Sequence, residues 1–157
     1  MKVKLMVIGK TDSAALAELI SEYEKRLRRY IQFEMEIIPD IKKSGKLSET
    51  EQLRKEAEAI MPRLNTGDKI VLLDEHGRQH SSLGFAKYLQ QHMNSGIKQL
   101  VFIIGGPYGL DEQLKKRAAE SWSLSKLTFS HQMVRLFAVE QIYRAMTILQ
   151  NQPYHHR

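Results

Sequence analysis

Three segments in the second half of the chain carry residue types suited to ligand binding. Gly105–Gly109 follows an apolar run, and its glycines lack the Cβ atoms that would keep a ligand away from the backbone. Ser121–Ser130 is rich in hydroxyl groups, and Ser125 to Thr128 suit the polar edge of an adenine-like ring. The end of the chain adds Tyr154 and His155. These residue types favour binding of a polar organic ligand.

Each of these segments also has a purely structural interpretation. Glycine and proline mark tight turns, and Gly105–Gly109 taken alone favours the turn interpretation. Ser125–Thr128 also suits a short buried strand, and a chain end such as 153–157 is normally frayed. Neither the phosphate-loop pattern nor the dinucleotide Gly-x-Gly-x-x-Gly fingerprint is present. The sequence alone leaves these alternatives open.

The remaining ionisable residues do not form a recognised catalytic or metal motif. His131, His155 and His156 lack the spacing of known zinc motifs, so we expect no metal site. No nucleophile elbow or Ser-His-Asp arrangement is visible. Charged residues within the last helix pattern suit either an ion-pair set or arginine contact with RNA phosphate; they are Arg135, Glu140 and Arg144.

Composition limits the class of protein. The 157 residues fit one domain, 1–157, that is large enough to bury a core. The formal net charge of +6 makes an anionic partner such as nucleic acid plausible, and basic residues cluster at 25–29 and 42–46. No apolar run is long enough to span a bilayer, and Val3–Ile8 is too short for a signal peptide. The absence of cysteine agrees with a cytoplasmic location.

The pattern of apolar residues predicts alternating strands and helices. Four predicted strands cover Lys2–Gly9, Phe33–Ile37, Lys69–Asp74 and Gln99–Ile104. Helices are predicted over Ser13–Tyr30, from the capping box at Ser48 to Pro62, from Ser81 or Ser82 to Asn94, and over Gln132–Gln150. A lysine-rich loop is expected at Ile41–Leu47.

Two features of these elements predict the architecture. The last two strands are apolar on both faces, which indicates an α/β fold with a parallel sheet between helices. The strand at Phe33–Ile37 alternates with glutamates and is expected near an edge. The last helix is apolar around more than one side, which indicates a core helix, a subunit interface or both.

Ligands of open parallel sheets bind beyond the carboxyl ends of the strands. Three segments follow predicted strands or lie near them in this way: Leu73–Glu75, Gly105–Gly109 and Leu124–Ser130. We therefore expect these loops to form one ligand pocket.

Several motifs, taken in chain order, resemble a known family. They are Val101–Leu110, Ser123–Arg135, Glu140–Ala145 and Pro153–His155, with support from Lys2–Gly9 and Tyr23–Leu27. The chain is similar over essentially its whole length to the SPOUT-class pseudouridine N3-methyltransferases of 23S rRNA. The resemblance implies a single-domain, Rossmann-like parallel-sheet fold with a deep C-terminal trefoil knot, a homodimer, and S-adenosylmethionine bound in the knot.

The resemblance also implies roles for individual residues. Cofactor contacts are expected at Leu73, Gly105, Leu124, Ser125, Lys126, Leu127, Thr128 and Phe129. Tyr154, His155 and Arg144 match the C-terminal features of the family and are expected to orient the target base or assist loss of its N3 proton. Tyr108 and His156 depart from the family pattern.

The implied reaction is attack of pseudouridine N3 on the sulfonium methyl group in a single displacement, with no metal and no covalent intermediate. The implied substrate is 23S rRNA in the assembled 70S ribosome. An alternative is a non-catalytic RNA-binding or ribosome-associated factor on the same fold. A third interpretation, a nucleotide-binding Rossmann-like enzyme, is weakened by the missing phosphate fingerprints.

Overall fold

The computed structural model describes residues 1–41 and 47–156. Five strands are formed: β1 Lys2–Ile8, β2 Gln32–Ile38, β3 Lys69–Gln79, β4 Gln99–Ile104 and β5 Glu120–Ser123. Five α-helices accompany them: α1 Ala14–Leu27, α2 Glu49–Ile60, α3 Ser82–Asn94, α4 Glu112–Arg117 and α5 Met133–Leu149. The lysine-rich loop predicted at Ile41–Leu47 lies largely outside the described residues.

The strands form one parallel sheet in the order β2-β1-β4-β3-β5. The α/β class and the parallel sheet are therefore confirmed. β2 is an edge strand, as its alternating pattern predicts. Ile37 is nevertheless 46% exposed, while Ile38, whose side chain points to the opposite face, is fully buried in the core.

Helices cover both faces of the sheet. One apolar cluster joins the sheet to α1, α3 and α5. The other joins it to α2 and α4. The last helix is thus a core helix packed between α1 and α3, which explains why its apolar residues extend around more than one side.

Local sequence signals set several helix starts. Ser48 and Glu51 form the predicted capping box, with reciprocal backbone hydrogen bonds of 3.0 and 3.2 Å. Ser81, rather than Ser82, caps α3 by accepting from the Gly84 amide at 3.0 Å. The predicted and observed helices therefore begin within a residue or two of each other.

Strand β3 runs further than the sequence predicts. The expected end at Asp74 is wrong, because the strand continues to Gln79 after an irregularity. Trp122 of β5 pairs with Leu73 and again with Arg78, so the residues between them bulge out of the ladder. Gly77 permits this, since a Cβ there would lie 2.5 Å from the Trp122 backbone. The bulge directs polar residues towards the carboxyl edge of the sheet.

Candidate functional site

A cleft of about 730 Å³ opens at the carboxyl ends of β3 and β4. The predicted strand-end segments Leu73–Glu75, Gly105–Gly109 and Leu124–Ser130 all contribute to its wall. Helix α2 closes another side through Thr50 and Leu53. The structure thus brings the three loops together, as expected from the rule for open parallel sheets. The volume suits a small organic ligand.

Steric and conformational constraints within the turn Gly105–Gly109 explain why it contains glycine. A Cβ added at Gly105 would collide with the Gly109 carbonyl oxygen. Gly109 itself has a φ of +89°, in the region that favours glycine, and it forms an isolated antiparallel bridge with Gly106. The turn interpretation of this segment therefore holds for the folded chain, and the same turn also lines the cleft.

A buried carboxylate lies behind this turn. Glu56 of α2 is only 5% exposed and accepts a hydrogen bond from the Gln52 amide at 3.1 Å. A Cβ on Gly106 would lie 2.9 Å from the nearer Glu56 carboxylate oxygen. Burial raises the pKa of Glu56, whereas the hydrogen bonds from Gln52 and the Gly106 amide lower it. Helix α2 thereby holds the turn close to the sheet.

Substituting Gly105 with Ala should destabilise the fold by roughly 1–3 kcal/mol, because the new methyl group has no space within the turn. Gly67→Ala is the matched control, since a Cβ at Gly67 meets nothing within 4 Å. Denaturant unfolding of both variants measures the difference. Equal stability of Gly105→Ala and wild type would contradict the packing described for the turn.

The hydroxyl-rich loop is an irregular segment held by its own side chains. Ser123 donates to the Ser125 carbonyl oxygen at 2.6 Å, and Ser125 Oγ accepts from the Leu127 amide at 2.9 Å. The Thr128 hydroxyl donates to Glu75 at 2.8 Å across the cleft mouth. The strand alternative for Ser125–Thr128 is wrong, since the nearest strand is β5, which ends at Ser123.

Carboxylates dominate the ionisable residues of the cleft wall. Asp74, Glu75, Asp111 and Glu112 line it, against one lysine, Lys115. The chain as a whole carries a formal net charge of +6, so the acidic cleft contrasts with the rest of the molecule. Such a wall favours a ligand that carries positive charge and repels phosphate.

Arg135 connects the start of α5 to the loop after β1. It is 1% exposed and donates to the Ile8 carbonyl at 2.6 Å and the Gly9 carbonyl at 2.8 Å. Its Nε donates to the His131 carbonyl at 3.2 Å. Both predicted roles, a surface or interface ion pair and RNA phosphate contact, are wrong for Arg135, because its donors are occupied by buried carbonyl groups.

Replacing Arg135 with Met should cost roughly 2–4 kcal/mol of unfolding free energy, because buried carbonyl oxygens would lose their donors. Arg54→Met is the control: Arg54 lies on the surface of α2, 3.7 Å from Glu58, and its loss should change stability by no more than about 0.5 kcal/mol. Chemical denaturation compares the two, and an equal effect would refute the tethering role.

The chain end packs against α5 instead of fraying. The Tyr154 hydroxyl donates to Glu140 at 2.9 Å and lies 3.2 Å from the Tyr23 hydroxyl. Arg144 pairs with Glu140 at 2.7 Å, which agrees with the ion-pair alternative for these two residues. The Arg144 guanidinium also lies 4.7 Å from the Tyr154 ring centroid and donates to His155 Nδ1 at 3.4 Å. We call Glu140, Arg144, Tyr154 and His155 the tail cluster.

Burial, followed by hydrogen bonds to Tyr23 and Glu140, raises the pKa of Tyr154. The phenol therefore stays protonated near neutral pH. Because an arginine only donates hydrogen bonds, His155 Nδ1 is the acceptor in its contact with Arg144. This contact leaves the Nε2–H of the ring as its hydrogen-bond donor. The tail cluster thus presents donors, rather than a free base, to a bound group.

Comparison with known proteins places the chain in a family. The family described as predicted SPOUT methyltransferase matches residues 1–155. The chain belongs to the SPOUT methyltransferases. Proteins from Christiangramia forsetii and Flavobacterium johnsoniae, both named ribosomal RNA large subunit methyltransferase H, are 57% and 56% identical to it, with 100% of each chain covered.

A relative of the same name from Parabacteroides distasonis is 56% identical over 99% of both chains. A crystal structure of a probable methyltransferase from Bordetella pertussis has the same fold, with a TM-score of 0.56 over 92% of both chains and 8% identity. The SPOUT family membership thus confirms the resemblance on which the expected site residues depend.

In this SPOUT methyltransferase, seven of the eight expected cofactor residues line the cleft: Leu73, Gly105, Leu124, Ser125, Leu127, Thr128 and Phe129. The eighth, Lys126, lies on the same loop with its side chain exposed and is not part of the wall. Residues 74–75 were expected in the pocket, but the acidic character of its wall, the residues 111–112 and the support from Glu56 were not expected. The acidic wall could have been predicted from the sequence, because carboxylate residues follow both β3 and β4.

The three residues expected to act on the base, Arg144, Tyr154 and His155, also lie together. They lie away from the cleft of their own chain. His131 and Val134 are the parts of the α5 region that line the cleft. Arg144 lies ten residues beyond Val134, which is about 15 Å along a helix. Within one chain, the structure therefore separates the tail cluster from the expected cofactor residues.

Proposed function

We propose that the protein transfers the methyl group of S-adenosylmethionine to N3 of a pseudouridine in 23S rRNA of the assembled 70S ribosome. The observation that carries this proposal is the identity of 56–57%, over the full length, to relatives named ribosomal RNA large subunit methyltransferase H. The cleft and the tail cluster supply the two halves that the reaction needs: a cofactor site and a set of donors for the base.

The cleft fits S-adenosylmethionine in charge and in size. The sulfonium and ammonium groups of this cofactor are cationic, and the wall of the cleft carries four carboxylates. Hydroxyl groups and backbone amides between Leu124 and Ser130 suit the polar edge of its adenine. When bound, the cofactor supplies an activated methyl group. Seven residues of the expected set would hold it, and Lys126 would contribute its backbone.

The tail cluster would act on the target base by hydrogen bonding. Loss of the N3 proton places negative charge on the carbonyl oxygens that flank N3, and donors near those oxygens favour the anion. Arg144 and the Nε2–H of His155 are such donors, and the Tyr154 hydroxyl, which donates to Glu140, holds the cluster in position. In this proposal the tail orients the base and makes its N3 easier to deprotonate.

The distance between the tail cluster and the cleft supports a homodimer. Met133, Phe137 and Arg144 recur at helical spacing on one side of α5, and Met133 is 41% exposed. The cleft lies near the first of these residues and the tail cluster near the last. A two-fold symmetry axis that passes between Met133 and Arg144 on this side of α5 would bring the tail of one chain over the cleft of its partner. In this arrangement each active site uses both chains.

A deep trefoil knot is part of the proposal. The support for it is membership of the SPOUT family and the meeting of three loops, at 73–76, 105–109 and 124–131, around one cleft. We also propose one domain over 1–157 and a cytoplasmic location, where ribosomes are found. Among the described residues, no helix is long and apolar enough to cross a membrane, and no group of three or more potential ligands is placed to hold a metal ion.

Two measurements test this function. Calorimetry should show binding of S-adenosylmethionine to the full chain. Incubation with methyl-labelled cofactor should then transfer label to 70S ribosomes that lack the modification, and not to naked rRNA. Absence of cofactor binding together with salt-sensitive ribosome binding would instead support a non-catalytic ribosome-associated factor. Cofactor binding without transfer to any ribosomal fraction would refute the substrate.

A further inference from the structure

The end of α1 carries a group of exposed cations next to the tail cluster. Lys25, Arg28 and Arg29 are exposed, and their spacing of three and four residues places them on one side of the helix end. We call these three residues the basic face. Arg28 is 3.9 Å from Glu24. Lys25 and Arg29 have no carboxylate partner within 4 Å in the described ranges 1–41 and 47–156.

Aromatic contacts join this surface to the tail. The Tyr30 and Tyr143 ring centroids are 5.9 Å apart, and Tyr143 stacks edge-on against Tyr154 at 4.8 Å. The Arg26 guanidinium lies 5.1 Å from the ring centroid of Tyr23, whose hydroxyl contacts that of Tyr154. These contacts place the end of α1 beside the tail cluster, and the basic face is on the solvent-exposed part of the same helix end.

The charge of the cleft limits where an RNA strand can run. A nucleotide that reaches the cofactor brings its flanking phosphates to the mouth of the cleft, where Asp74, Glu75, Asp111 and Glu112 repel them. Cations beside the tail cluster attract the same phosphates. Electrostatic repulsion is therefore lowest for an RNA strand that approaches over the tail cluster and crosses the end of α1.

We propose that the basic face, Lys25, Arg28 and Arg29, binds the phosphates that flank the target nucleotide, and that it does so on the chain that supplies the tail. This rests on the proposed function and adds to it the surface and direction of the RNA. Lysine and arginine on a solvated helix end suit phosphate groups without reading base sequence. The contact thus contributes affinity for the ribosome and leaves the chemical step unchanged.

The test compares two triple variants with the same change in charge. Lys25→Ala/Arg28→Ala/Arg29→Ala should raise the KM for 70S ribosomes on the order of 10-fold, and should lower the slope of log affinity against log salt by about 2, since each single-strand phosphate contact contributes about 0.7. The kcat at saturating ribosome and the cofactor Kd should not change. Lys87→Ala/Lys98→Ala/Lys116→Ala, which alters exposed lysines elsewhere, should leave the KM within about 2-fold of wild type.

Ribosome binding measured by sedimentation, with no cofactor added, keeps this result separate from the proposed function. If wild type transfers no methyl group, the proposed function fails, while the salt slope of binding still tests the basic face. An equal effect of the two triple variants on KM or ribosome Kd, or an unchanged salt slope, would overturn the inference. Loss of cofactor affinity in the first variant would also overturn it.

Discussion

His155→Ala should lower kcat on the order of 100-fold while the Kd for S-adenosylmethionine stays within about 2-fold of wild type, because His155 lies away from the cleft of its own chain and acts as a donor to the base. Tyr154→Phe should lower kcat less, on the order of 10-fold, because it removes one hydroxyl but keeps the ring under Arg144. Single-turnover methyl transfer and calorimetry measure the two quantities.

His156→Ala is the matched control for this experiment. His156 is exposed and follows His155 directly, so its replacement changes the same side chain at the same chain end. We expect normal kcat from this variant. If His155→Ala and Tyr154→Phe both methylate ribosomes at the wild-type rate, the catalytic role proposed for the tail is wrong.

Mixed dimers should restore activity from two inactive chains. One chain would carry Ser125→Trp, which fills the cleft, and the other would carry Tyr154→Phe/His155→Ala, which disables the tail. If each site uses both chains, half of the dimers in an equal mixture contain one intact site, so activity should recover to about a quarter of wild type. Neither variant alone should exceed a few per cent of wild type, roughly.

The mixed-dimer result separates two arrangements of the site. If cleft and tail of the same chain acted together, every site in the mixture would contain a lesion, and no activity would return. A control mixture of Ser125→Trp with wild type, in which the two chains differ in mass, shows by native mass spectrometry whether the chains exchange. Activity that stays at background in the first mixture, with exchange established in the second, would contradict the shared site.

Much of the framework could be predicted from the sequence because it depends on local signals. β4 is apolar on both faces and lies at the centre of a parallel sheet, as such runs usually do. Ser48 and Glu51 form the capping box that their spacing predicts. The loops that follow β3 and β4 meet at one edge because parallel strands end on the same side.

The unpredicted parts depend on contacts distant in sequence. β3 continues past Asp74 because Trp122 pairs on both sides of a bulge, and no local pattern indicates that pairing. β5 and α4 are too short to show a clear period. The sequence pattern suggests that Arg135 is a surface charge on an apolar helix. In the structure it is buried and donates to carbonyl groups of β1 and of the loop after it. The positions of Tyr154 and His155 likewise follow from the packing of α1 against α5.

The identity of the methylated nucleoside distinguishes the proposed reaction from other rRNA methylations. Ribosomes lacking the modification would be incubated with the protein and methyl-labelled cofactor, and the 23S rRNA digested and separated into nucleosides. We expect label in a single product, N3-methylpseudouridine, from 70S ribosomes. Label on any other nucleoside, or no label above that of the cleft variant Ser125→Trp, would contradict it.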